Sequence, residues 1–155
     1  MVASFFTNDL NKVAILGEGI TARSVRACIH RLPGFLEVSV SEADLIVASP
    51  GIPSDQYPET DQEIISEPEF AYRLFHRPDS RYTPKIIAIT GTNGKSTVTA
   101  MLAAYLNAPA LGNIGIPMVS LVDRPQVSDY IVVELSSYQL DGNRYFKPEL
   151  ALLLN

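Results

Sequence analysis

Apolar residues enter this chain in short, nearly unbroken runs separated by polar loops, and the runs alternate with stretches of helical spacing. Residues 12–17 (KVAILG) form one such run and end on glycine, and residues 20–32 then place Ala22, Val25, Ile29 and Leu32 about one helical turn apart. Together they predict strand, turn and helix. Pro33 and Gly34 close that helix, residues 36–40 alternate as a strand does, and residues 44–49 (DLIVAS) read as a buried strand ending at Pro50 and Gly51. Residues 50–58 have the Pro, Gly, Ser and Asp content of a surface loop, and residues 63–66 suggest one more short strand. Pro68 suits a helix start, with Phe70, Leu74 and Phe75 giving residues 69–77 an apolar side. The polar, proline-bracketed stretch 77–84 (RPDSRYTP) is the expected boundary between two units and the expected place of a hinge.

Beyond it, residues 85–90 (KIIAIT), 130–135 (YIVVEL) and 150–154 (LALLL) read as buried strands, and residues 95–106 as a helix. Strands alternating with helices imply parallel βαβ units, hence an α/β fold. The last strand runs into the final residue, Asn155, so the second unit is expected to be cut short. No internal repeat or low-complexity segment stands out.

Composition narrows the function classes. With 155 residues, 46% hydrophobic and 19% charged, the chain can bury a core in one domain, or in one small domain plus part of another. A formal net charge of −5 without a run of Lys or Arg argues against a nucleic-acid partner, and the seven tyrosines and six phenylalanines are not interleaved with basic residues. The single cysteine, Cys28, rules out an intrachain disulfide and reads as a small buried residue. Residues 1–11 lack the basic start and apolar stretch of a signal peptide, and no apolar run reaches the roughly 20 residues of a membrane helix. A soluble, cytoplasmic protein with no membrane partner is the expectation. His30 and His76 stand alone, without paired ligands, and read as surface or half-buried residues rather than metal ligands.

The chemistry-bearing segment lies between the 85–90 strand and the 95–106 helix. There Thr90 leads into Gly91, Thr92, Asn93, Gly94, Lys95, Ser96 and Thr97. Glycines let the backbone turn tightly, so that several N–H groups and the positive helix end face one anion. Lys95 can reach terminal phosphates and Ser96 can hold a magnesium ion. The general P-loop pattern asks for glycine where Ile89 stands, so that pattern is not met. Glu134, a carboxylate after the apolar residues Ile131, Val132 and Val133, stands where ligands of open α/β sheets gather, or is a surface glutamate at a strand end. Gly17, Glu18, Gly19, Ile20, Thr21 and Ala22 form a GxGxxA turn, which alone suggests either a dinucleotide site or a ligand-free βα turn.

The loop 90–96 (TGTNGKS) resembles that of the Mur ligase and folylpolyglutamate synthase group. Residues 112–115 (GNIG) and 134–140 (ELSSYQL) resemble two further motifs of these ligases, in the same order and at compatible spacing. The combination, with residues 43–52 (ADLIVASPGI), is similar to the D-glutamate-adding branch of the Mur ligase family, and the likeness spans almost the whole chain. The resemblance implies a shortened Rossmann-like UDP-sugar-binding domain over residues 1–80. Residues 81–155 would then be the truncated N-terminal part of a central, P-loop-type, parallel-sheet ATPase domain. It implies ATP and Mg2+ as cofactors, UDP-N-acetylmuramoyl-L-alanine and D-glutamate as substrates, an amide bond made through an acyl phosphate, and a monomer. By the same resemblance Lys95 would be the catalytic lysine, with Gly91 to Thr97 binding ATP, and Ser96 with Glu134 holding magnesium. Ile20, Thr21, Ser49, Pro50, Gly51, Asn113 and Ser136 would bind the UDP-linked substrate, although asparagine beside glycine is also common turn chemistry.

Two departures from the family pattern matter. Few residues separate Gly34 from Ala43, where longer members carry a uridine-gripping loop, so neither Glu37 nor Glu42 can be given that role. The segment that would follow Asn155, with a histidine metal ligand, a modified lysine and a further domain, is absent from this sequence, and ligation by these 155 residues alone is not expected. The alternatives are a folylpolyglutamate-synthase-like ligase, which typically has GKGS where residues 94–97 read GKST, and a non-catalytic nucleotide- or substrate-binding fragment. A regulatory P-loop switch would lack a base-reading motif and leave ELSSYQL without a role.

Overall fold

The computed structural model describes residues 5, 6 and 10–155. Its first part runs β1 (Asn11–Leu16), α1 (Ile20–Ile29), β2 (Phe35–Glu37), β3 (Leu45–Ala48), β4 (Glu63–Ser66) and α2 (Glu67–Phe75). The second runs β5 (Lys85–Gly91), α3 (Lys95–Leu106), β6 (Ala110–Gly112), β7 (Tyr130–Glu134), α4 (Ser137–Asp141) and β8 (Leu150–Leu154). Two four-stranded sheets result, in the orders β2-β1-β3-β4 and β6-β7-β5-β8, and every strand pair in them is parallel. The fold is therefore α/β, as the runs of Val, Ile and Leu predict for strands covered on both faces.

In the first sheet the chain leaves β1 toward β2 and later returns to its other side as β3, which puts a topological switch point between β1 and β3. The Gly17–Gly19 turn and residues 49–51 follow these two strands. In the second sheet β5 and β7 lie side by side, with Ile89 opposite Glu134, and β7 is flanked by β6, with Gly112 opposite Glu134. The loop after β5 and the carboxylate of Glu134 thus share one end of the sheet.

One apolar core runs through both sheets. Val13, Val47 and Ile65 belong to the same packed cluster as Ile86, Ile131 and Val133, together with Phe70, Leu74 and Phe75 of α2 and Met118 and Val119 of a 3-10 turn, Met118–Leu121. The polar stretch 77–84 is fastened to this core. Tyr82 is buried and its hydroxyl donates to the Ser128 carbonyl at 2.7 Å, while the Thr83 hydroxyl donates to the Phe75 carbonyl at 2.8 Å.

Several element ends differ from the expectations. α1 stops at Ile29 rather than Leu32, because Pro33 disfavours helical geometry for the residue before it and the last N–H groups turn back onto the Cys28 carbonyl. β2 ends at Glu37, since the chain folds into a 3-10 turn, Val40–Glu42, where the Ser39 hydroxyl donates to the Glu42 carboxylate at 2.6 Å. α2 starts at Glu67, two residues early, because the Ser66 hydroxyl caps it by accepting the Glu69 N–H at 3.3 Å. His30 and His76 sit at the C-caps of α1 and α2, His30 3.4 Å from Glu37 and His76 Nδ1 2.8 Å from the Tyr72 carbonyl. Cys28 is fully buried, and burial pushes its thiol up to about 12. Among the described residues, no helix is long and apolar enough to cross a membrane.

Candidate functional site

The loop that follows β5 is shaped by its glycines. Gly91 has φ +135°, and a Cβ there would lie 2.0 Å from the Leu154 carbonyl oxygen of the neighbouring β8, so no side chain fits. Gly94, at φ +78°, is the N-cap of α3, and no side chain caps that helix end. Lys95 opens α3, and its ammonium group donates to the Gly91 carbonyl at 2.7 Å and the Thr92 carbonyl at 3.4 Å. Thr92, Asn93, Ser96 and Thr97 are exposed. The Thr90 hydroxyl donates to the Leu135 carbonyl at 2.9 Å, tying the start of the loop to the end of β7. A 12-residue helix with an uncapped N-terminus behind a glycine turn suits an anion, and the lysine already lies over the loop.

Glu134 is 2% exposed, which removes the surface-glutamate alternative. Its Oε1 accepts from Asn113 Nδ2 at 3.1 Å, while its Oε2 is buried with no hydrogen-bond partner among the described residues. A buried carboxylate oxygen without a partner is costly and rare. The backbone N–H of Asn113 also donates to the Glu134 carbonyl at 3.0 Å, and a Cβ on Gly112 would meet that carbonyl at 2.2 Å. Asn113 is thus held to Glu134 by both its backbone and its side chain. Hard oxygen donors of this kind suit magnesium, and the orphaned Oε2 fits a cation, with Ser96 an exposed hydroxyl in the first turn of α3. Among the described residues, no group of three or more His, Cys, Asp or Glu side chains forms a metal cluster.

A cleft of about 140 Å³ brings the two sheets' loops together. Ile20, Thr21 and Pro50 line it from the first sheet, and Gly112, Asn113, Gly115, Pro117 and Gln139 from the second, with Glu67 in its wall. Four of the residues singled out for substrate binding therefore meet at one place. Ser49 is buried, its hydroxyl without a partner among the described residues and packed against Gly17, where a Cβ would lie 2.7 Å from it. Gly51 is exposed and does not line the cleft. Ser136 does not line it either. Its hydroxyl accepts the Gln139 N–H at 3.3 Å while its own backbone N–H donates to Gln139 Oε1 at 3.0 Å, forming the capping box of α4. Two larger hollows, about 270 and 280 Å³, lie away from these residues, around Arg77 and Arg81 and beneath Leu140 and Phe146.

Glu67 and Gln139 are two polar cleft residues to which the sequence reading gave no role. The polar pair at Ser66 and Glu67, directly after an apolar strand, marks a helix start, and acids there usually face water. Only the packing of α2 against the Met118–Leu121 turn shows that this one does not.

Residues 89–155 match the model of the Mur ligase middle domain. The chain is 37% identical over 166 residues to the UDP-N-acetylmuramoylalanine--D-glutamate ligase of Alkaliphilus metalliredigens, a match that covers 99% of this chain and 35% of that protein. It is 37% identical over 146 residues to the ligase of the same name from Desulfosudis oleivorans, covering 88% of this chain and 30% of that one. A third such ligase, from Geotalea uraniireducens, is 42% identical over 123 residues, 73% of this chain and 26% of its own. The chain thus spans about a third of the length of the curated relatives it matches. These matches, with the glycine loop after β5, the buried glutamate of β7 and the GNIG turn after β6 at one end of the second sheet, show that this chain belongs to the Mur ligase family.

Proposed function

We propose that this chain supplies the nucleotide-sugar cleft and the phosphate loop of an ATP-dependent amide ligase that joins D-glutamate to UDP-N-acetylmuramoyl-L-alanine. The observation that carries the reading is the cleft in which Ile20, Thr21 and Pro50 face Asn113, beside a buried Glu134 whose Oε2 has no partner. On this reading residues 1–80 hold the UDP part of the substrate and residues 81–155 the phosphates. The acceptor carboxylate would lie near Asn113, and Lys95, released from the Gly91 carbonyl, would neutralise the phosphoryl group passing to that carboxylate. The loop amides and the N-terminus of α3 would orient the triphosphate. Ser96 and Glu134 would hold magnesium, which, when bound, screens the crowded phosphate oxygens. An incoming amine would then displace phosphate from the activated carboxyl, leaving the amide. Ser49 would contribute by shaping the turn and Ser136 by capping α4, with Gln139 at the cleft.

Calorimetric titration of the 155-residue chain tests the reading directly. Saturable binding of UDP-N-acetylmuramoyl-L-alanine, weakened tenfold or more by Asn113→Ala, is expected, as is loss of Mg-ATP binding in Lys95→Ala with an unchanged melting temperature. Absence of any binding by the unaltered, folded chain would overturn the assignment of the cleft.

A further inference from the structure

The first turn of α2 carries two carboxylates that reach away from their own helix. Glu67 is 1% and Glu69 0% exposed, although acids at a helix N-terminus gain from the dipole without leaving water. Burial of both therefore needs partners. Glu69 accepts the backbone N–H groups of Arg144, Tyr145 and Phe146, the last at 2.8 Å, and pairs with Arg73 at 2.7 Å. Glu67 accepts the Val119 N–H at 2.6 Å. The segments they hold directly follow the GNIG turn and α4, the two parts of the second sheet that line the cleft.

The role of Glu67 is the sharper one. Bonds inside the 112–117 loop run from the Gly112 N–H to the Ile116 carbonyl and from the Gly115 N–H to the Gly112 carbonyl, and these shape the loop without placing it. Asn113 anchors its β7 side on Glu134. On the side facing α2, Glu67 holds the turn that begins just after Pro117, and Glu67 is one of the residues that line the cleft with Thr21, Asn113 and Gln139. We propose that Glu67 is a positioning residue. By accepting the Val119 N–H across the junction of the two sheets, it sets the distance between the Ile20–Thr21 turn and the loop that presents Asn113. This rests on the reading of the cleft as the nucleotide-sugar site.

The needed property is an acceptor at that point, not the charge, so glutamine should replace glutamate and alanine should not. Backbone and side-chain amide NMR spectra of the full 155-residue chain, without ligand, test the placement by itself. Glu67→Ala is expected to shift the amides of Val119, of residues 113–116 and of the Asn113 side chain, leaving residues 92–97 of the phosphate loop in place, and Glu67→Gln is expected to restore them. Titration with UDP-N-acetylmuramoyl-L-alanine should then show at least a tenfold loss of affinity in Glu67→Ala and less than threefold in Glu67→Gln. If Glu67→Ala does not fold, Glu67→Asp, one methylene short of Val119, serves the same comparison. Unmoved loop amides in a folded variant, or a glutamine variant no better than alanine, would overturn the proposal. Loop shifts in Glu67→Ala together with no substrate binding by the unsubstituted chain would overturn the assignment of the cleft and leave the positioning by Glu67 standing.

Discussion

Glu67 illustrates how one buried residue couples fold and solution conditions. Burial pushes its carboxyl up from an ordinary 4.5 to about 7, against the pull of the Val119 and Met118 N–H groups, which favour the anion. The folded chain then holds a proton that the unfolded chain has released between those two values. Stability from this group is fully present below about pH 4.5 and is lost as pH rises through 7. Glutamine at this position has no such dependence. Urea unfolding at pH 5 and pH 8.5 is therefore expected to show Glu67→Gln gaining on the wild type as pH rises, by up to roughly 3 kcal/mol for a displacement of this size. A constant difference across that range would mean that Glu67 ionises in the folded chain as easily as in the unfolded one. Sequence alone shows an acidic residue in a first turn, and nothing in residues 63–70 tells buried from solvated.

At the scale of elements, the strands and long helices follow their local pattern closely. The spans of β4, α3 and β8 agree with the apolar runs that predict them. β6 and α4 do not announce themselves, since three and five residues are too few for a period to show. α4 exists because Ser136 and Gln139 form a capping box and because the segment after it is bound to α2. Glu69→Ala would leave three backbone N–H groups without their acceptor and Arg73 without one of its two carboxylate partners, Glu63 remaining. The expected cost is on the order of 3 kcal/mol, seen in chemical unfolding, with accelerated amide exchange at residues 144–146. A loss below about 0.5 kcal/mol would show that water replaces the carboxylate at no penalty.

For the molecule as a whole, the polar stretch 77–84 has the composition of a hinge, yet it is tied down through Tyr82 and Thr83 beside a core shared by both sheets. Phe70, Phe75, Met118 and Val133 are packed in one cluster, so neither sheet keeps its apolar face covered without the other. Thermal unfolding is expected to be a single transition, and a fragment of residues 81–155 is expected to lack the sharp, dispersed amide spectrum of a folded protein. Two separate transitions, or a folded fragment, would restore the hinge at that stretch.

The sequence by itself determined the α/β class, the strand-loop-helix that presents Lys95 and Ser96, and the order of the motifs that carry the family likeness. These depend on residue type and near-neighbour spacing, which periodicity, turn-forming glycines and helix starts express directly. Only the tertiary structure decided that Gln139 lines the cleft between the two sheets' loops. It also decided that Glu134 is buried with one oxygen unpartnered and that Glu67 crosses to the other sheet. Each of these depends on what lies opposite a side chain across dozens of residues of intervening chain, and burial and hydrogen-bond partners at that range are set by packing rather than by local pattern.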